Sequence, residues 1–306
     1  MAESPQYAKL MSVVKTKASD TEAQAASARI RLITVLFICS VIALLLAVAV
    51  LLARQLMFGL LLLVAAVVLF ACALGVQRKT HKYMEDLLFE QCNAQRAVDL
   101  RVLFSEKTNN EKRWARCYYG VADALFYAGR FDEARAVARI LEKYGTTEVA
   151  QFYTEIIYCK LCCHAGDLDG METHAGKLNR VQDAAPDAEA RQLLAENLIL
   201  VRLLRLECEG AHREAYDAFA KYQSPHPCKL SEVERNYHQA RMANLLGMRQ
   251  EAQQHRHFVM EWGGTTYYKR EFASEQGEPV VGTVHTYEHS ISPREISNEA
   301  AACASM

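Results

Sequence analysis

Excess charge of one sign is absent from this sequence. Lys and Arg number 35, Asp and Glu 36, and the formal net charge is −1. That removes the global electrostatic basis for nucleic-acid binding. Motifs for nucleotide or metal chemistry are absent too. There is no phosphate-binding glycine loop with its lysine, no nucleophile elbow and no His-Glu-x-x-His zinc signature. Carboxylates fall at positions that read as solvated helix faces, so no catalytic pair stands out. Proline is scarce: between residues 78 and 276 there are only Pro186, Pro225 and Pro227, all in candidate loops. Helices there are free of the residue that most disrupts them. No convincing alternating strand pattern occurs before the last thirty or so residues.

Charge is also missing locally. From Leu32 to Ala53 the chain reads "LITVLFICSVIALLLAVAVLLA", and from Leu56 to Val76 "LMFGLLLLVAAVVLFACALGV". Each is long enough to cross a hydrocarbon core of about 30 Å, which takes about 20 residues. As one straight helix the pair would measure about 67 Å. It would also hold Arg54 at mid-membrane, at a cost of about 2.5 kcal/mol or more. The chain is therefore expected to turn at Ala53–Gln55 and return as a transmembrane hairpin. A cleaved signal peptide is the competing reading. The apolar run starts only at Leu32 and exceeds a usual signal core, which favours the anchor.

Basic residues flank the spans unevenly. Lys9, Lys15, Lys17, Arg29 and Arg31 precede them, Arg78, Lys79 and Lys82 follow, and the turn holds only Arg54. Both termini are expected in the cytoplasm, with the plasma membrane of a bacterium as the setting. Of ten cysteines, eight lie beyond the spans at irregular spacings, which suits a reducing compartment. Residues 1–28 have little apolar periodicity and read as a disordered tail. Residues 29–78 form the hairpin and 79–110 a connecting segment. Within it, Thr80 to Phe104 reads as one helix with Leu88, Cys92, Val98 and Val102 near one face. Residues 277–306 read as a flexible tail, in which "EPVVGTVHTY" is a candidate short hairpin.

From residue 111 to 276 apolar residues recur at three and four spacings, the mark of amphipathic helices. The stretch "YYGVADALFYAGRFDEARAVARIL" places Tyr118, Ala122, Leu125, Gly129 and Ala134 around a "GRFDEA" turn. Small residues at Ala122 and Ala134 let two helices approach closely, and Gly129 suits a backbone that a side chain would strain. The phrase returns around Gly166, Gly210 and Gly247, at spacings of 37, 44 and 37 residues. This pattern resembles the tetratricopeptide repeat. The resemblance implies an all-α fold, with the hairpin followed by an α-solenoid of about four helical pairs. It also implies a groove along the first helix of each pair that takes up a peptide or helix. Carried over position by position, groove candidates are Tyr119, Asp123 and Tyr127; Tyr153, Ile156, Lys160 and His164; Asn197, Leu200 and Leu204; and Tyr237 and Arg241. The Lys and Asn pair of the family's carboxylate clamp is replaced here by Tyr119 and Asp123, so that specialised role is not implied.

Two stretches compete with this reading. "YCKLCCHAGDLDG" packs Cys159, Cys162, Cys163 and His164 together. On a helix His164 lies about 140° from Cys159, and no second Cys-x-x-Cys exists to complete a zinc site. Cys159 aligns with Ala122 and Cys162 with Leu125, so both read as core. No metal, cofactor or catalytic residue is expected. The apolar helix "PDAEARQLLAENLILVRLLRLECEG" reads as a core helix or as a surface for a partner or a second copy of the chain. The expected role is a membrane-anchored scaffold that binds a protein or peptide partner. The alternative is an accessory subunit of a membrane complex, packing through small hairpin residues such as Gly59, Ala65, Ala66, Ala71 and Gly75.

Overall fold

The computed structural model describes residues 5–16, 20–53, 55–105, 111–180, 188–224 and 227–275. The described residues are helical throughout, with thirteen helices and no strand among them. They are α1 (Pro5–Val13), α2 (Asp20–Leu52), α3 (Leu56–Phe89), α4 (Ala94–Ser105), α5 (Glu111–Tyr127), α6 (Phe131–Tyr144), α7 (Glu148–Ala165), α8 (Leu168–Arg180), α9 (Ala188–Cys208), α10 (His212–Lys221), α11 (Lys229–Leu245), α12 (Arg249–Trp262) and α13 (Tyr267–Glu275). Residues 1–272 form one compact unit, and of the remainder only 273–275 are described. The candidate hairpin in "EPVVGTVHTY" lies outside the described residues.

The chain does turn between the apolar runs, and α2 and α3 pack side by side. Both are long and apolar enough to cross a membrane. Their seam is built from small residues. Gly59, Ala66, Ala73, Thr80 and Leu87 are buried along α3 at seven-residue intervals, and Ser40 and Ala47 along α2. A strict seven-residue repeat keeps one stripe facing its partner and favours a left-handed crossing. Small side chains along this stripe let the two helix backbones approach closely. Ser40 Oγ donates to the Ala66 carbonyl at 3.0 Å across the seam. The larger side chains, among them Leu45, Phe58 and Leu61, point outward and are exposed. At 1.5 Å per residue α2 and α3 run about 50 Å each, well beyond a hydrocarbon core of about 30 Å.

The segment read as one helix from Thr80 to Phe104 is two. α3 continues the apolar run to Phe89, the chain breaks at Glu90–Asn93, and α4 folds back against α3, α2 and α5. Leu88, Cys92, Val98 and Val102 are all fully buried, as a shared face requires, but on two elements. Cys92 adopts φ +50°, a conformation that disfavours any residue but glycine. Two contacts hold it there. Asn93 Oδ1 caps α4 by accepting from Arg96 N, and the Cys92 carbonyl accepts from Thr265 N at 3.0 Å.

The reading of residues 1–28 as a disordered tail also needs correction. α1 is a helix, and Tyr7 and Leu10 on it, with Val14 just past its end, form a buried stripe packed with α6 and α4. Arg130 donates to the Lys15 carbonyl and pairs with Glu133, which in turn accepts from Lys15 N. Spacings of three and four placed these apolar residues on one face, although the tail as a whole looked polar.

From α5 to α12 the helices form four consecutive pairs. Each turn carries a glycine in the left-handed region: Gly129, Gly166, Gly210 and Gly247, at φ of 64, 69, 79 and 74°. Each turn closes by the same hydrogen bond. The residue after the glycine donates to the carbonyl five positions back: Arg130 to Leu125, Asp167 to Cys162, Ala211 to Leu206, Met248 to Ala243. This is the Schellman closure, which satisfies carbonyls that a helix end leaves open. Thr147 caps α7 by accepting from Ala150 N. Ala122, Ala134, Cys159 and Ala215 are fully buried at the helix contacts.

Candidate functional site

The first helices of the pairs bring most of the sequence candidates together. On α5 and α7, Tyr119 stacks on Tyr153 with ring centroids 4.8 Å apart. Lys160 Nζ lies 2.6 Å from Asp123 Oδ1 and 3.4 Å from the Tyr127 hydroxyl, over the Tyr127 ring. Ile156 is fully buried. Arg101 of α4 donates to the Gly120 carbonyl at 2.6 Å and faces the same Asp123. Burial alone would lower the Lys160 ammonium's pKa. Asp123, Tyr127 and Glu234 outweigh that and hold it above the ordinary lysine value. Burial drives the phenols of Tyr119, Tyr127 and Tyr237 well above theirs, so they stay neutral.

α11 supplies Tyr237 and Arg241. Arg241 pairs with Glu207 of α9 at 3.1 Å and lies over the Tyr237 ring, and Glu207 also meets His238 at 2.7 Å. His164 ends α7 with its ring stacked on Phe131 at 3.7 Å while its rim stays exposed. The α9 candidates divide. Asn197 is buried, whereas Leu200 and Leu204 join Leu203 and Phe219 in a small cluster apart from the main core. In α9 itself Ile199 remains exposed.

Of the twelve candidates, nine are buried; only His164, Leu204 and Arg241 retain substantial exposure. Part of this burial is mutual, as in the Tyr119–Tyr153 stack and the Lys160–Asp123 pair, and part is due to α13, which the search for groove residues missed and which packs on Tyr127 and Tyr237. Tyr267 packs edge-on to Phe126, Phe131 and His164, and Tyr268 and Phe272 pack on Tyr237. The Tyr268 hydroxyl donates to Glu234 Oε1 at 2.5 Å, and the Tyr237 hydroxyl donates to Glu271 at 2.6 Å. Arg270 donates to the Ala128 carbonyl beside the first turn. α13 thus packs on aromatic side chains of α5, α6 and α11 and on His164 at the end of α7. The sequence carried one signal for this helix: "WGGTTYYKREF" repeats the Gly-Thr-Thr that precedes α7.

Of the cysteine cluster only Cys159 takes a fully buried packing position; Cys162 and Cys163 are half-buried. Cys159 is buried, and burial pushes its thiol and that of Cys162 up to about 12. Such thiols are poor nucleophiles, because the thiolate is the reactive form. Among the described residues no three His, Cys, Asp or Glu side chains gather as a metal site would require. The chain matches no protein-family model, no curated protein and no solved structure.

Proposed function

We propose that this chain is a two-pass membrane protein whose tetratricopeptide-like helical pairs form a scaffold that holds a protein partner beside the bilayer. Both termini lie on the cytoplasmic side of a bacterial plasma membrane. The observation that carries this reading is continuity. α3 runs from the apolar hairpin into the helical region without interruption, and α4 and α11 pack on it. A partner bound to the pairs is thereby confined near the membrane, which raises its effective concentration there. The four identical glycine turns support the repeat reading. The accessory-subunit reading draws less support, since Gly59 and Ala66 are used within the hairpin's own seam.

Site-specific photo-crosslinking in native membranes tests this. A crosslinker at Arg241, on the rim of the inner face, is expected to capture a defined protein. One at Asp217, exposed on α10, is expected not to capture it. Identical products from both positions, or none from Arg241, overturn the reading.

A further inference from the structure

α13 is bound as a ligand would be. It is nine residues long, and an isolated helix this short is marginal in water, so its order comes from what it touches. It meets the inner face through side chains: two adjacent aromatics, Tyr267 and Tyr268, and a third, Phe272, one helical turn after Tyr268. Buried aromatic anchors of this kind dominate recognition at interfaces. Three polar tips are read as well: the Tyr268 hydroxyl by Glu234, the Arg270 guanidinium by the Ala128 carbonyl, and the Glu271 carboxylate by the Tyr237 hydroxyl. The link to α12 is short and glycine-rich, with Gly264 at φ +55°. Gly129 is shaped for this occupant. A Cβ there would lie 2.8 Å from the Tyr267 Cβ, whereas the three other turn glycines have open space.

We propose that α13 is a resident ligand of the inner face. That face recognises a short helix with two adjacent aromatic side chains and a third one turn later, and α13 competes in cis with a partner segment of the same chemistry. The existence of such a partner rests on the scaffold reading; the recognition itself does not. A partner of this kind engages the face only as α13 leaves, so α13 sets the threshold for binding.

The test uses the full chain in lipid nanodiscs and a fluorescent peptide of residues 263–275. In Tyr267→Ala/Tyr268→Ala/Phe272→Ala the face is vacated, and the peptide is expected to bind at least tenfold tighter than to the wild type. A peptide with the same three alanines is expected not to bind. Failure of the peptide to bind a variant that keeps its helical circular dichroism overturns the proposal. So does loss of that helicity in the variant, which would make α13 part of the core. A second protein avoids the substitutions by carrying a protease site between Gly263 and Gly264. After cleavage, α13 is expected to exchange with excess free peptide within hours; its retention overturns the proposal. Peptide binding without a crosslink from Arg241 leaves recognition standing and removes the scaffold reading. The converse result does the reverse.

Discussion

Gly129→Ala and Gly247→Ala separate two reasons for glycine that coincide at the first turn. Both glycines sit at positive φ, 64 and 74°. An alanine there costs about 1–2 kcal/mol of backbone strain at either turn. At Gly247 nothing lies within 4 Å of the added Cβ, so strain is the whole effect. At Gly129 the Cβ meets the Tyr267 Cβ at 2.8 Å. That atom is the root of its side chain and cannot rotate away, so α13 itself must shift. Overpacking of this sort adds about 1–3 kcal/mol, all of it charged to the contact between α13 and the first turn. Hydrogen–deuterium exchange reads the difference locally. With tenfold per 1.4 kcal/mol, amides of 267–272 are expected to exchange about 5- to 150-fold faster in Gly129→Ala. In Gly247→Ala they are expected to stay near the wild-type rate. Equal acceleration in both variants refutes the assignment of α13 to the inner face beside Gly129.

Three further outcomes are expected. Lys160→Met breaks the buried ion pair with Asp123, leaving only the more distant Arg101 facing that carboxylate, and should destabilise the fold by about 3 kcal/mol in denaturant unfolding. Burial pushes the Glu207 carboxyl up but His238 and Arg241 outweigh it, so its folded pKa lies below the ordinary value. The stability it contributes is then complete above the unfolded value of about 4.3 and lost as pH falls through the folded pKa, and Glu207→Gln should flatten that acid limb. Cys208 is exposed, so a membrane-impermeant maleimide should label it in intact cells only after permeabilisation; labelling without it would reverse the assigned orientation.

The hairpin was legible because an uncharged run of twenty residues has few other uses, and two runs split by Arg54 have fewer. The turns were legible because a left-handed backbone selects glycine, and Gly129, Gly166, Gly210 and Gly247 stand at near-regular intervals. The break at Cys92 was not legible. No glycine or proline announces it, and its unusual φ is held from 173 residues away by Thr265. α1 was hidden by averaging: three apolar residues in a polar tail carry a strong stripe and a weak composition. Lys160 and Asp123 were read as groove charges and lie buried against each other, a pairing across two helices that no local pattern encodes. The docking of α13 was invisible for the same reason. "YYKREF" looks like the start of another helix, and only the tertiary fold shows that it docks on the helices before it.

The length of α2 and α3 has a consequence for the proposed membrane setting. On the two-pass reading proposed above, about 30 Å of each helix lies in hydrocarbon, and about 20 Å projects into the aqueous phase and carries α4 and the helical pairs on its end. Helices longer than the bilayer is thick respond to thickness by tilting. A change in tilt of about 10° sweeps the end of such a 20 Å lever sideways by about 3.5 Å. Because α2 and α3 are packed along a seam of small residues, they would swing together, and in that setting a change of membrane thickness would move everything mounted on them.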